Sequence, residues 1–141
     1  MLGIIMSIVA GVAMGIQGVF NTRLGEKTGI YEANVIVSFL AFCTAVMVMI
    51  FFGKGNISAA SNINKLYLTG GFIGTVITVT VMLAIGNLSP VYATGIILIS
   101  QLAVSAIIDS FGLFGAEQIN FTWTKVAGLV FMIGGIILFK V

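Results

Sequence analysis

The chain has 141 residues, of which 60% are hydrophobic and only 7% are charged, and its mean hydropathy is +1.23. This composition lies far outside the usual range of soluble globular domains, so it excludes a water-soluble enzyme or binding module. The net charge of +2 is small, and we expect the lipid bilayer, and no nucleic acid, to surround the protein.

Five long apolar stretches predict transmembrane helices. Backbone polar groups in hydrocarbon must be paired within the structure, and a spanning helix meets this need with roughly 20 apolar residues. The sequence therefore predicts an all-α integral membrane protein with a single domain over residues 1–141. Its predicted helices cover about residues 2–21, 33–52, 66–86, 91–114 and 123–139.

The first predicted helix combines a polar face with a glycine face. At about 100° per residue, Gln17 and Asn21 lie on one side, and Gly11, Gly15 and Gly18 lie on the adjacent side. The segment "GVAMG" has the small-xxx-small spacing that permits the close approach of a second helix. We therefore expect the polar side to lie near the interior of a helix bundle.

The second, third and fifth helices also carry small or polar residues on one side. Asn34 and Ser38 are one helical turn apart in the second helix. Helix packing accounts for many such residues, because Ser and Thr bond to their own backbone and Gly permits contact. The corresponding residues are Gly70, Gly71, Gly74 and Thr78 in the third helix, and Gly128, Gly134 and Gly135 in the fifth.

The fourth helix has a clear start signal and a polar stripe. Ser89 can cap the helix, and Pro90 fits its first turn, where a missing N–H costs nothing. Further along, polar or small residues fall within about 80° of one another, interrupted by Leu98. The stripe consists of Thr94, Gln101, Ser105, Asp109 and Gly112.

Asp109 is an acid inside an apolar segment. An ionised carboxylate in the bilayer core costs from about 2.5 to well over 10 kcal/mol, so it is normally paired or faces a wet cavity. Asp109 lies about five residues, or roughly 7–8 Å, from the predicted end of its helix. Both a functional role and a structural role, such as capping or pairing, stay open.

Catalytic and metal chemistry lack their usual residues. The sequence has no His, one Cys and four acidic residues, and these residues form no set with metal-ligand spacing. We therefore predict no enzyme activity, no catalytic residue, no metal site and no cofactor.

The basic residues do not define an orientation. Lys and Arg normally stay on the cytoplasmic side, but five spans would distribute them three against three. This even split suits a chain that inserts in both directions and pairs with an inverted copy of itself; chance is the alternative explanation. The two groups are Lys54, Lys65 and Lys125 on one side, and Arg23, Lys27 and Lys140 on the other.

Several motifs together resemble one known family. In chain order they are "GIQGVFNTRLGEKTG", "ANVIVSFL", "GGFIG", "SQLAVSAIIDSFGLFG" and "KVAGLVFMIGGIIL". They resemble the YdcZ family, a five-helix branch of the drug/metabolite transporter superfamily, over nearly the whole chain.

The resemblance implies half of a transporter in a bacterial inner membrane. The family's members resemble one half of ten-helix transporters and occur as single chains, pairs or fusions. Two chains would then meet antiparallel, as a homodimer or with a paired homologous chain, and form an inverted repeat around a cavity near the midplane. Matching motif positions give the family's polar positions as Gln17, Asn21, Arg23, Ser38, Gln101, Ser105 and Asp109.

One position departs from related proteins. The small multidrug resistance proteins resemble this architecture with four helices, and they carry in the first helix a central Glu that exchanges protons for cationic substrate. Gln17 occupies the comparable zone here, and a neutral amide releases no proton. If protons are coupled, Asp109 is the candidate acid.

The favoured function is a secondary transporter or facilitator of a small polar or amphiphilic metabolite. Its expected binding residues are Gln17, Asn21, Ser38, Gln101, Ser105 and Asp109. Two alternatives stay open: a dual-topology ion or solute channel, and a non-transporting subunit that packs against a larger membrane protein.

Overall fold

A computed structural model describes residues 1–119 and 122–139, and it shows an all-helical chain in which short connections join five α-helices. Two 3-10 helices, Ile57–Asn62 and Lys65–Thr69, lie between the second and third α-helices, and a third, Leu113–Gly115, follows the fourth. The α-helices are α1 (Leu2–Thr28), α2 (Ile30–Phe52), α3 (Gly70–Asn87), α4 (Pro90–Phe111) and α5 (Trp123–Leu138).

In the part of the chain that the structure describes, four helical segments are long and apolar enough to cross a membrane. They are α1, α2, α4 and the segment Lys65–Asn87, which comprises α3 and the preceding 3-10 helix. The fifth helix is apolar but has 16 residues, or about 24 Å of helical rise against a hydrocarbon core of about 30 Å. The predicted all-α membrane architecture is confirmed. Dimerisation and a crossing by α5 stay predictions.

The chain divides into two compact units, Met1–Asn87 and Leu88–Val141. The first unit contains α1, α2 and α3, which all contact one another. The second contains α4 and α5, which also contact each other. The single domain predicted for residues 1–141 stays a prediction.

The predicted end of α1 at residue 21 is wrong, because the helix continues through the polar segment 22–28. Backbone hydrogen bonds of a helix do not require apolar side chains, and polar side chains here can reach the headgroup region. On this extension, Arg23 and Glu26 form an exposed ion pair at 2.9 Å. Gly25 lies inside the helix, and Gly29 ends it with φ 99°.

Two further boundaries differ from the prediction. The second helix begins at Ile30 rather than at residue 33, because Gly29 alone connects it to α1. The fourth helix ends at Phe111 rather than at residue 114. There Gly112 adopts the left-handed conformation (φ 60°), and its N–H donates to the carbonyl of Ile108.

Two glycines of α1, Gly18 and Gly25, allow α1 and α3 to pack closely together. A Cβ at Gly18 would lie 2.9 Å from Cδ1 of Ile85, and one at Gly25 would lie 3.5 Å from Sδ of Met82. By contrast, no atom lies within 4 Å of a Cβ built at Gly11 or Gly15. Within the first unit, the "GVAMG" motif therefore has no helix partner at these two glycines.

Candidate functional site

Hydrogen bonds at both ends hold α4 in place. At its start, the backbone N–H of Tyr92 donates to Oγ of Ser89 at 3.3 Å, which confirms the predicted cap. At its end, the N–H of Ile119 donates to the carbonyl of Asp109 at 2.8 Å. In addition, Nε2 of Gln118 donates to the carbonyl of Ser110 at 3.0 Å. The segment after α4 thus pairs carbonyls that a helix end would otherwise leave unsatisfied.

Gln101 and Ser105 lie together beside an open depression on α4. The depression has a volume of about 570 Å³, and Ser100 and Val104 complete its described lining. Because Gln101 and Ser105 are one helical turn apart, their side chains lie on the same side of the helix. Both residues are exposed.

Most Ser and Thr hydroxyls in the described helices form a hydrogen bond with the backbone of their own helix. Each donates to the carbonyl four residues earlier, as Ser100 does to Ile96 at 2.9 Å and Ser110 does to Ala106 at 2.6 Å. The side chains of Gln101 and Ser105 form no hydrogen bond with any residue that the structure describes. Their amide and hydroxyl are therefore free for a partner outside the second unit.

Asp109 lies in the last turn of α4 and is half-buried. The helix ends two residues later, so the carboxylate is nearer to the membrane surface than the sequence predicted. Its side chain has no hydrogen-bond or ion-pair partner in residues 1–119 and 122–139. A negative charge at a helix C-terminus also opposes the helix dipole. Neither observation favours a stabilising role for the acid.

The other three predicted binding residues belong to the first unit. Gln17 on α1 and Ser38 on α2 are exposed, whereas Asn21 is buried, with 9% of its surface exposed. Arg23, which the resemblance also singles out, is exposed and pairs with Glu26. Of the six predicted binding residues, the pair that the structure places at one depression is Gln101 and Ser105.

One polar residue of the first unit is more notable than the sequence indicated. Asn34 is 8% exposed, and its Oδ1 is buried with no hydrogen-bond partner in the described chain. From the sequence, only its spacing from Ser38 is known. Its helix, α2, contacts both other helices of the unit, and periodicity along one helix does not reveal such contacts.

Apolar helices of spanning length define a multi-pass α-helical membrane protein, and two polar side chains without a hydrogen-bond partner in the described residues lie beside an open depression on one of these helices. In a comparison with protein families, residues 2–138 match the family described as "Putative inner membrane exporter, YdcZ". The chain therefore belongs to the YdcZ family and is a multi-pass protein of the inner membrane. The comparisons with curated proteins and with solved structures give no match.

Proposed function

We propose that the protein is a secondary transporter or facilitator of a small polar or amphiphilic metabolite and works as an antiparallel homodimer or with a paired homologous chain. The observation that carries this proposal is that the side chains of Gln101 and Ser105, beside the depression on α4, have no hydrogen-bond partner in the described residues. Polar groups left unpaired in hydrocarbon cost several kcal/mol each. A solute, or the water that accompanies it, removes this cost.

The chemistry of the lining limits the solute class. Gln101 supplies a carbonyl acceptor and an NH₂ donor, and Ser105 supplies a hydroxyl that does both. On the same helix, Asp109 adds at most one negative charge. Such a lining suits a neutral or weakly cationic solute with hydroxyl or amine groups, and it disfavours a strongly anionic one.

Two observations support an inverted partner. Within residues 1–87, no atom lies within 4 Å of a Cβ built at Gly11 or Gly15, so this small-residue face permits the close approach of a helix from a second chain. The even division of Lys and Arg is compatible with insertion in both directions. Reporters fused to the two termini test this part: we expect each terminus on both sides of the membrane, and a single orientation would contradict the antiparallel homodimer.

Transport is tested by flux in proteoliposomes. The solutes are radiolabelled amino acids, polyols and primary amines, and empty liposomes give the background. We expect saturable flux for at least one class. Replacing Gln101 by Leu should lower this flux about fivefold, because one neutral hydrogen bond contributes about 1 kcal/mol and 1.4 kcal/mol corresponds to tenfold. Ser110→Ala is the matched control, since this hydroxyl is already bonded to Ala106.

The same experiments distinguish the alternatives. Fast ion flux that does not saturate would indicate a dual-topology channel. Recovery from detergent only together with a different membrane protein, without solute flux, would indicate an assembly subunit. Background flux for every solute of the panel would contradict the proposed function.

A further inference from the structure

Asn34 carries a buried hydrogen-bond acceptor without a donor. Of the side-chain polar atoms in residues 1–119 and 122–139, its Oδ1 is the one that is fully buried and unpaired. The buried hydroxyl of Thr22, by contrast, donates to the carbonyl of Gly18 at 2.8 Å. The exposed side chain of Asn87 donates from Nδ2 to the carbonyl of Leu83 at 2.7 Å.

An unpaired buried carbonyl lowers stability, since it loses its water and gains no replacement. A threonine of nearly the same volume would avoid this loss at position 34. Its hydroxyl could donate to the carbonyl of Ile30, four residues earlier, as the hydroxyl of Thr44 does to that of Leu40 at 2.8 Å. The asparagine is therefore the less stable choice for the conformation that the structure describes.

The packing around α3 permits a second conformation. Within the described part of the first unit, no side-chain hydrogen bond joins α3 to α1 or α2. The contacts that the glycines of α1 make with α3 are apolar: Cδ1 of Ile85 lies next to Gly18, and Sδ of Met82 lies next to Gly25. Movement of α3 would therefore break no side-chain hydrogen bond between these helices.

We propose that Asn34 is a further solute-contacting residue. Its Oδ1 accepts a hydrogen bond from an N–H or O–H of the transported solute in a conformation in which α3 has moved away from α2. This inference rests on the proposed transport function. An N–H or O–H donor is also available from bound water, and the two sources predict different behaviour of one variant.

The test compares Asn34→Thr with Asn87→Thr in heat stability and in proteoliposome flux of radiolabelled amino acids, polyols and primary amines. We expect Asn34→Thr to raise the midpoint of thermal unfolding by about 2–4 °C and to lower solute flux about fivefold. Asn87→Thr is the matched control: the new hydroxyl keeps a bond to Leu83, so both quantities stay at the wild-type level. Asn34→Ser provides the same hydroxyl in a smaller side chain if the threonine variant does not fold.

Three results would overturn the inference, and each is distinct. Lower heat stability of both hydroxyl variants would mean that bound water already satisfies Oδ1 in the resting protein. Higher stability with unchanged flux would mean that the solute does not contact Asn34. Background flux of the wild-type protein for the whole panel would remove the proposed function, and the inference with it.

Discussion

The contact between α4 and α5 gives a quantitative test of the fold. A Cβ at Gly95 would lie 2.7 Å from Cδ1 and 2.8 Å from Cγ1 of Ile136. Both distances are too short for carbon atoms. Isoleucine is β-branched and has one strongly preferred rotamer in a helix, so Ile136 cannot easily turn aside. Gly95→Ala should therefore strain the packing of the second unit.

The expected cost follows from two opposing effects. Overpacking of this kind costs about 1–3 kcal/mol, whereas Gly→Ala in a helix gains up to about 1 kcal/mol from propensity. Gly128→Ala on α5 isolates the second effect, because no atom lies within 4 Å of its Cβ position. We expect Gly95→Ala to be about 1–3 kcal/mol less stable than Gly128→Ala.

Thermal unfolding of the purified protein in detergent measures this difference. A double-mutant cycle with Ile136→Ala then tests the cause, since the shorter side chain makes room for the new methyl group. We expect a favourable coupling of at least about 1 kcal/mol between the two substitutions. Equal stability of the two glycine variants, or zero coupling, would refute the described packing of α4 on α5.

Two further predictions concern helix ends, and the same unfolding measurement checks both. Gly29→Ala should lower the free energy of unfolding by about 1–3 kcal/mol, because φ 99° and ψ 145° lie in a region essentially restricted to glycine. Gly55→Ala, at a glycine without positive φ, is the control. Equal effects of the two substitutions would contradict the conformation assigned to Gly29. Ser89→Ala should lower the free energy of unfolding by about 0.5–1 kcal/mol. This value is at the low end for a lost N-cap, because the hydrogen bond from the N–H of Tyr92 to Ser89 is long at 3.3 Å. Unchanged stability would mean that this bond contributes nothing.

Local signals in the sequence predicted the fourth helix well. Ser89 and Pro90 act on neighbouring residues, so their effect is readable without knowing the fold. That Gln101 and Ser105 lie on the same side of α4 also follows from helical periodicity alone. The end of α4 was misjudged because "GLFG" is apolar, yet Gly112 turns the chain out of the helix.

Features that depend on packing could not be predicted in the same way. The polar extension of α1 was missed because the prediction followed apolar runs, while helical backbone bonds continue through residues 22–28. Of the predicted glycine face Gly11, Gly15 and Gly18, Gly18 meets another helix of the first unit, as does Gly25, whereas Gly11 and Gly15 do not. The burial of Asn34 was missed for a related reason, since it requires knowledge of three helices at once.

The single-residue connection at Gly29 has a consequence for membrane insertion. Gly29 alone joins α1 to α2. Because this connection is so short, we expect the two helices to insert into the bilayer together, as one hairpin. The bend that leads this insertion carries Arg23 and Lys27 against Glu26 and Glu32, and their formal charges cancel. The electrical work of carrying a bend across an energised membrane is proportional to its net charge, so the cell's potential favours neither direction for this hairpin.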